Sequence, residues 1–516
     1  MTSRLKLVAG FLVLLIPSAW FAWNYRDMPQ FGETHDDSLY YVAAKGIATG
    51  AGYRILSLPS EPFQTKYPPG YPFFLSLAWR LKPDFPANLM LAMALNWLIF
   101  PAFVALSYLW LRRTSRTWLS TALIALNPYV ILFSTYLMSE LLLGCLVLIS
   151  LLLSRRAVLA ALAGSAAYLV RTGGLVLAVS GTICLWLEGR RKEAIQFAVV
   201  FLPFVLAWMI WVKMHQAPGT DIVTLYYTNY LGYQLLNVHL NEFPLFLWKN
   251  LDGVLWGIGS LFIPRIFDSL LMKILAQTLA IAALIGVARM ARRPEVRPFL
   301  YFSGLYIFLL VIWHFPPNER FVLPLFPLLA AGFVAEMERL WNGIRAGFRH
   351  PLRSQRVVAV MIGGVFAAII VGAGVSQAVT LTSLMPNMLD RQRLRVIAQR
   401  QAYDWIDRNL PSDATVMAAM DPLLYLYTGR HSCQIVVPTV YWYREDPKGA
   451  LKHYENLVAF AKEQRMDYLY LTYKDYARDM VEADHKEVIR AMRENKGLKL
   501  LKEFETGGIY RIGDGQ

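Results

Sequence analysis

Apolar runs about as long as a bilayer is thick recur through the first three quarters of this chain. They lie near residues 5–23, 88–111, 117–135, 139–153, 157–170, 174–187, 195–213, 268–289, 298–314, 320–338 and 357–382. In hydrocarbon, an isolated segment satisfies its own backbone only as a helix. The runs therefore predict an α-helical polytopic membrane protein of about eleven spans. A further stretch, 243–266, is rich in Leu, Trp and Phe but broken by Pro264, and reads as a span or an interfacial helix. Composition agrees. Only 17% of the 516 residues are charged, against about 25% in soluble domains.

The net charge of +15 is not a nucleic-acid signature. Its excess sits in alternate loops between spans: Arg112, Arg113 and Arg116; Arg155 and Arg156; Arg190, Arg191 and Lys192; Arg292, Arg293 and Arg297; Arg345, Arg349, Arg353 and Arg356. With Arg4 and Lys6, these clusters mark one side as cytoplasmic. The other side then receives residues 24–87, the turn near 134–140, Arg171–Gly174, residues 214–266, the turn 314–320 and everything after residue 382. The first run is basic in front and lacks an A-x-A site, so it reads as an uncleaved anchor. Cys145 and Cys184 lie in spans and Cys433 stands alone, so no disulfide framework or cysteine zinc site is predicted.

Two regions stand outside the spans. The loop 24–87 is too long for a connector. It holds a helix-like segment from Ser38 to Thr49, the turn Gly50-Ala51-Gly52, the motif K-Y-P-P-G-Y-P and an amphipathic run from Phe73 to Leu81. Beyond residue 382 charge rises. Leu394–Ile406 and Pro447–Gln464 have helical period, and Thr415–Met420 and Asp467–Leu471 read as strands. The expected organisation is a transmembrane catalytic domain over 1–382 and a small extracytoplasmic α/β domain over 383–516.

Nucleotide-loop, zinc-protease and nucleophile-elbow motifs are absent from the sequence. What remains is acids and bases at the predicted outer ends of spans. Asp36 and Asp37 head a predicted helix, where negative charge is favoured, so capping is the plainer reading for them. Glu140, in L-M-S-E-L-L-L, has no basic neighbour in sequence, and an unpaired carboxylate there is costly. Arg171 in L-V-R-T-G-G and Arg320 in H-F-P-P-N-E-R-F-V-L-P break the topology rule. Each needs an acidic side chain or an anionic ligand, and Glu319 is the near candidate for Arg320. His314 lies in the same turn, and Lys66 precedes a stiff Pro-Pro pair. Carboxylates and cations together suit glycosyl transfer from a phosphate-linked sugar. A carboxylate takes the acceptor proton, and cations stabilise the departing phosphate.

The motifs D-D-S-L-Y-Y-V-A-A-K-G, K-Y-P-P-G-Y-P-F-F-L, L-M-S-E, Y-L-V-R-T-G-G-L and E-R-F-V-L-P-L-F-P, in that order, resemble the GT-C superfamily of polyprenyl-phosphate-sugar-dependent glycosyltransferases. The likeness is greatest to the bacterial branch similar to protein O-mannosyltransferases and aminoarabinose transferases, and it covers roughly residues 1–340. The resemblance implies Asp36 as catalytic base and Asp37 as a supporting acid, with the pair admitting a divalent cation in some members. Glu140 matches a second outer acid, and Arg171 and Arg320 match positions near the lipid phosphate. Lys66 matches in part, because Tyr67 stands between it and Pro68; both are placed on the substrate side. His314 has no counterpart and rests on position alone. The implied partners are a polyprenyl-phosphate-linked sugar and membrane lipid, with a protein, lipid or glycan acceptor. The implied place is the bacterial inner membrane, with the active site extracytoplasmic.

Two other classes compete. A transporter or flippase of a lipid-linked anion would place ionisable groups near mid-span, where this sequence has almost none. An inactive relative serving as an anchor would not need both acids and both arginines.

Overall fold

The computed structural model describes residues 3–114, 116–267, 269–349, 352–472, 494 and 497–513. The chain forms two compact units, each built from separated segments.

The first unit comprises Met1–Arg26, Met93–Leu206 and Leu247–Met388. All eleven apolar stretches are helical, and so is the ambiguous one, as Phe243–Ser260. Among the described residues six helices are long and apolar enough to cross a membrane. Thr117–Ala125 and Pro128–Thr135 form a pair bent by 51°, and four further apolar helices are 10–17 residues long. The bend follows from Pro128, which cannot continue a helical ladder. Asn127 repairs the break. Its Oδ1 accepts from Tyr129 N at 3.0 Å and its Nδ2 donates to Leu261 O at 2.7 Å. Aliphatic side chains gain little by leaving lipid for protein, so close backbone approach matters here. A β-carbon added to Gly286 would lie 1.9 Å from Gly332 O, so the helices Leu270–Met290 and Phe326–Phe348 tolerate no side chain at this crossing.

The second unit comprises Asp27–Ala92, Ala207–Phe246 and Leu389–Gln516. Composition divides the chain near residue 383; compactness divides it otherwise. The first loop and the 207–246 segment pack with the C-terminal region because Leu39, Ile55, Tyr227, Met417, Cys433 and Leu469 share one core. In the first loop Asp36–Thr49 and Gly70–Leu81 are helices, matching the periodicity there.

The C-terminal region carries a mixed sheet of β1 (Val416–Ala418), β2 (Ser432–Cys433), β3 (Tyr468–Thr472), β4 (Leu498–Phe504) and β5 (Gly507–Ile512), in the order β2-β1-β3-β5-β4. β1 pairs in parallel with β2 and β3, whereas β5 is antiparallel to β3 and β4. β1 and β3 are the two strands expected from sequence. The expected helix over 447–464 is two, Pro447–Glu455 and Leu457–Glu463. The strands β2, β4 and β5 had no clear signal.

Candidate active site

The candidate residues fall into two clusters, one in each unit.

In the second unit, Asp36 opens the helix Asp36–Thr49. Tyr67 Oη donates to Asp36 Oδ1 at 2.5 Å. Burial raises the Tyr67 phenol well above its ordinary pKa, and the Asp36 carboxylate adds to the rise. The phenol therefore stays protonated and can only donate to this oxygen. Adjacent helical residues point about 100° apart. Accordingly Asp36 is half-buried, whereas Asp37 is 0% exposed. Asp37 Oδ2 accepts from Gly32 N at 2.9 Å and its Oδ1 from Ser38 N at 2.7 Å. Burial pushes its carboxyl up to about 7, against the pull of those two N–H groups and with a small addition from Asp36. The two acids thus serve different neighbours. Among the described residues no group of three or more His, Cys, Asp or Glu gathers to hold a metal ion.

Lys66 follows two residues after Gln64, whose Oε1 accepts from Lys66 N at 2.8 Å. The strand of chain around it is pinned from several directions. Trp211 Nε1 donates to Gln64 O at 3.0 Å, Thr65 Oγ1 to Thr228 O at 2.7 Å, and Tyr53 Oη to Tyr67 O at 2.8 Å. The Lys66 ammonium lies 3.8 Å from the ring centre of Tyr226, 4.3 Å from that of Tyr230 and 5.0 Å from that of Tyr67. Three aromatic faces hold a cation without neutralising it. Tyr226 and Tyr230 were missed in sequence. Their signal was the aromatic density of T-L-Y-Y-T-N-Y, Thr224 to Tyr230.

In the first unit, Glu140 opens the helix Glu140–Leu152 and is 1% exposed. It is not the unpaired acid that its sequence neighbourhood suggests. Arg171 Nη1 lies 2.9 Å and Arg320 Nε 3.0 Å from Glu140 Oε1, and Arg171 Nη1 also reaches Ser139 Oγ at 3.1 Å. Both guanidinium groups face the Phe321 ring, at 5.3 and 4.6 Å from its centre. Arg320 thus pairs with Glu140, 180 residues away in sequence. These three side chains carry one positive charge in sum.

Local sequence explains how the triad is placed. Arg171 ends the helix Ala157–Val170 in an extended conformation and the chain turns sharply. A β-carbon on Gly174 would lie 2.5 Å from Ala167 C and Tyr168 N, so only glycine allows that turn. Asn318 Oδ1 accepts from Arg320 N at 3.1 Å and caps the short helix Glu319–Val322. Asn250 Nδ2 donates to Val311 O and Trp313 O, at 3.0 and 2.5 Å, and secures the turn in which His314 is buried.

No family model matches the chain, and no curated protein matches it in sequence. Solved structures do match. The crystal structure of ArnT from Cupriavidus metallidurans in the apo state superposes with a TM-score of 0.52 at 12% identity, over 98% of both chains. The structure of the same protein bound to undecaprenyl phosphate gives 0.51 at 13% identity, over 99% of this chain and 98% of that one. The fold of this chain is therefore the fold of ArnT.

Proposed function

We propose that this protein transfers a sugar from a polyprenyl-phosphate donor to an acceptor hydroxyl at the extracytoplasmic surface of the bacterial inner membrane. The observation that carries the reading is the pairing of a half-buried carboxylate, Asp36, with a protonated Tyr67, one residue from the caged Lys66 ammonium. The fold shared with ArnT, and a structural neighbour solved with undecaprenyl phosphate, support the donor class.

In this reading Asp36 takes the proton of the acceptor hydroxyl. The acceptor oxygen forms its bond to the anomeric carbon as the bond from that carbon to the phosphate oxygen breaks. The electron pair leaves with the phosphate, where Lys66 stabilises the charge. Tyr67 holds one carboxylate oxygen and so orients the base. Asp37 supports the turn into the helix through Gly32 and Ser38. Arg171 and Arg320, in the first unit, keep the donor-binding role that the resemblance implies for them.

The test uses the purified protein in lipid nanodiscs, a panel of undecaprenyl-phosphate sugars and acceptor-containing host membranes. Release of undecaprenyl phosphate coupled to sugar incorporation is expected with at least one donor. Movement of intact lipid-linked sugar across proteoliposomes, with no bond broken, would instead establish a flippase.

A further inference from the structure

His35, immediately before Asp36, carries three features that neither the capping of a helix nor the proposed reaction accounts for. Its backbone has φ 59° and ψ −42°, on the side of conformational space that residues with a β-carbon seldom occupy. Its ring is almost wholly buried, and both ring nitrogens have partners. Nε2 lies 2.7 Å from Asp421 Oδ1, and Nδ1 lies 2.9 Å from Tyr226 Oη. Strained backbone persists where the surroundings over-determine it, and it concentrates at functional sites.

The three groups come from distant parts of the second unit. His35 belongs to the first loop, Tyr226 to the helix Ile222–Thr228, and Asp421 to the start of the helix Asp421–Thr428. Asp421 is itself anchored, since Ser432 Oγ in β2 donates to its carbonyl at 2.7 Å. Nε2 faces the Asp421 carboxyl and Nδ1 faces the Tyr226 hydroxyl, so the imidazole bridges the two whichever of its nitrogens carries the proton. The Tyr226 ring so oriented is the one whose face lies nearest the Lys66 ammonium. One imidazole therefore ties the turn into Asp36 to the aromatic wall of Lys66.

We propose that His35 is a positioning residue for sugar transfer: clamped between Asp421 and Tyr226, it fixes the direction of Asp36 and the cage that holds Lys66. This rests on the reading of Asp36 as base and Lys66 as phosphate ligand. It assigns the C-terminal α/β region a part in the chemistry, because Asp421 is one jaw of the clamp.

Two substitutions separate positioning from folding. His35→Asn tolerates positive φ but is too short to bridge both partners. Tyr226→Phe keeps the ring over Lys66 and removes only the hydroxyl. In nanodiscs, Tyr226→Phe is expected to keep the wild-type unfolding midpoint and His35→Asn to fold with a lowered one, because Asp421 loses its buried partner; each should lower kcat at least tenfold and weaken undecaprenyl phosphate binding severalfold. In the His35→Asn background, Tyr226→Phe should cost almost nothing more. If His35→Asn does not fold, Tyr226→Phe alone decides. Wild-type kcat and binding in the folded variants, or losses that simply multiply in the double variant, would overturn the proposal. Asp36→Asn in the same assay keeps the two readings apart. If Asp36→Asn is inactive while the His35 and Tyr226 variants are normal, only the positioning role fails; if Asp36→Asn is fully active, the underlying reading fails.

Discussion

The Tyr67 hydroxyl lies 2.5 Å from Asp36 Oδ1, so the carboxylate at the head of the helix is held by a phenol thirty-one residues further along the chain. A hydrogen bond to a charged group contributes about 1.5–3 kcal/mol. If it orients the base, Tyr67→Phe should lower kcat by about ten- to a hundredfold and leave undecaprenyl phosphate binding intact. Steady-state transfer with a parallel binding titration measures both. A change in binding alone would move Tyr67 from the base to the donor.

The triad revises what the two arginines should do when removed. Removing one partner of a buried ion pair costs about 3–5 kcal/mol, because a charge is left uncompensated. Glu140→Gln strands two guanidinium groups and is expected to lower the unfolding midpoint clearly. Arg171→Ala and Arg320→Ala each leave Glu140 one partner and should destabilise less, while weakening undecaprenyl phosphate binding. Thermal unfolding in nanodiscs, with and without that lipid, resolves the two effects. Loss of stability without loss of binding would make the triad purely structural.

Asp37 gives the fold a pH dependence of definite sign. Its carboxyl rises from an ordinary 3.8 to about 7 in the folded protein, because burial disfavours the charge. Between those values the folded state binds the proton that the unfolded state has released. Its contribution is therefore fully present below about pH 4 and is lost as pH rises toward about 7. The unfolding midpoint should fall over this window, and the Asp37→Asn variant should show a shallower fall. An identical slope in both proteins would assign the dependence to other groups.

The alternate basic loops predict that residues 24–87 and 383–516 lie outside the cytoplasm. Asp84 and Asp413 are exposed, and the three native cysteines are buried, so single cysteines placed there give a clean signal. Impermeant thiol reagents should label Asp84→Cys and Asp413→Cys in intact spheroplasts. Labelling only after the membrane is opened would reverse the topology and remove the extracytoplasmic chemistry.

The helical part of the fold was legible because lipid demands long apolar runs, and each run is a local signal. The loop helices were legible too, through Gly50 and the Pro68-Pro69 pair that bound them. β2 was not, because two residues have no period, and its pairing with β1 is set by the surrounding core. Among the candidate residues, Asp36, Lys66, Arg171 and Arg320 stood out as charges in unusual places. Their partners did not. Glu140 meets Arg320 across 180 residues and His35 meets Asp421 across 386, and no local pattern encodes such pairings. Glu140 therefore read as unpaired, and His35 did not read as functional at all.

The central claim is that Asp36 is the base, and the most direct measurement is transfer by Asp36→Asn, which keeps shape and removes basicity. General-base catalysis contributes about 10²–10⁴-fold. Turnover from the undecaprenyl-phosphate sugar should fall within that range, undecaprenyl phosphate binding should match the wild type, and addition of a chelator or a divalent metal should change neither result. Wild-type turnover in Asp36→Asn would contradict the account. So would an equal loss in Asp36→Asn and Asp37→Asn that added metal restores, since the pair would then be a metal site.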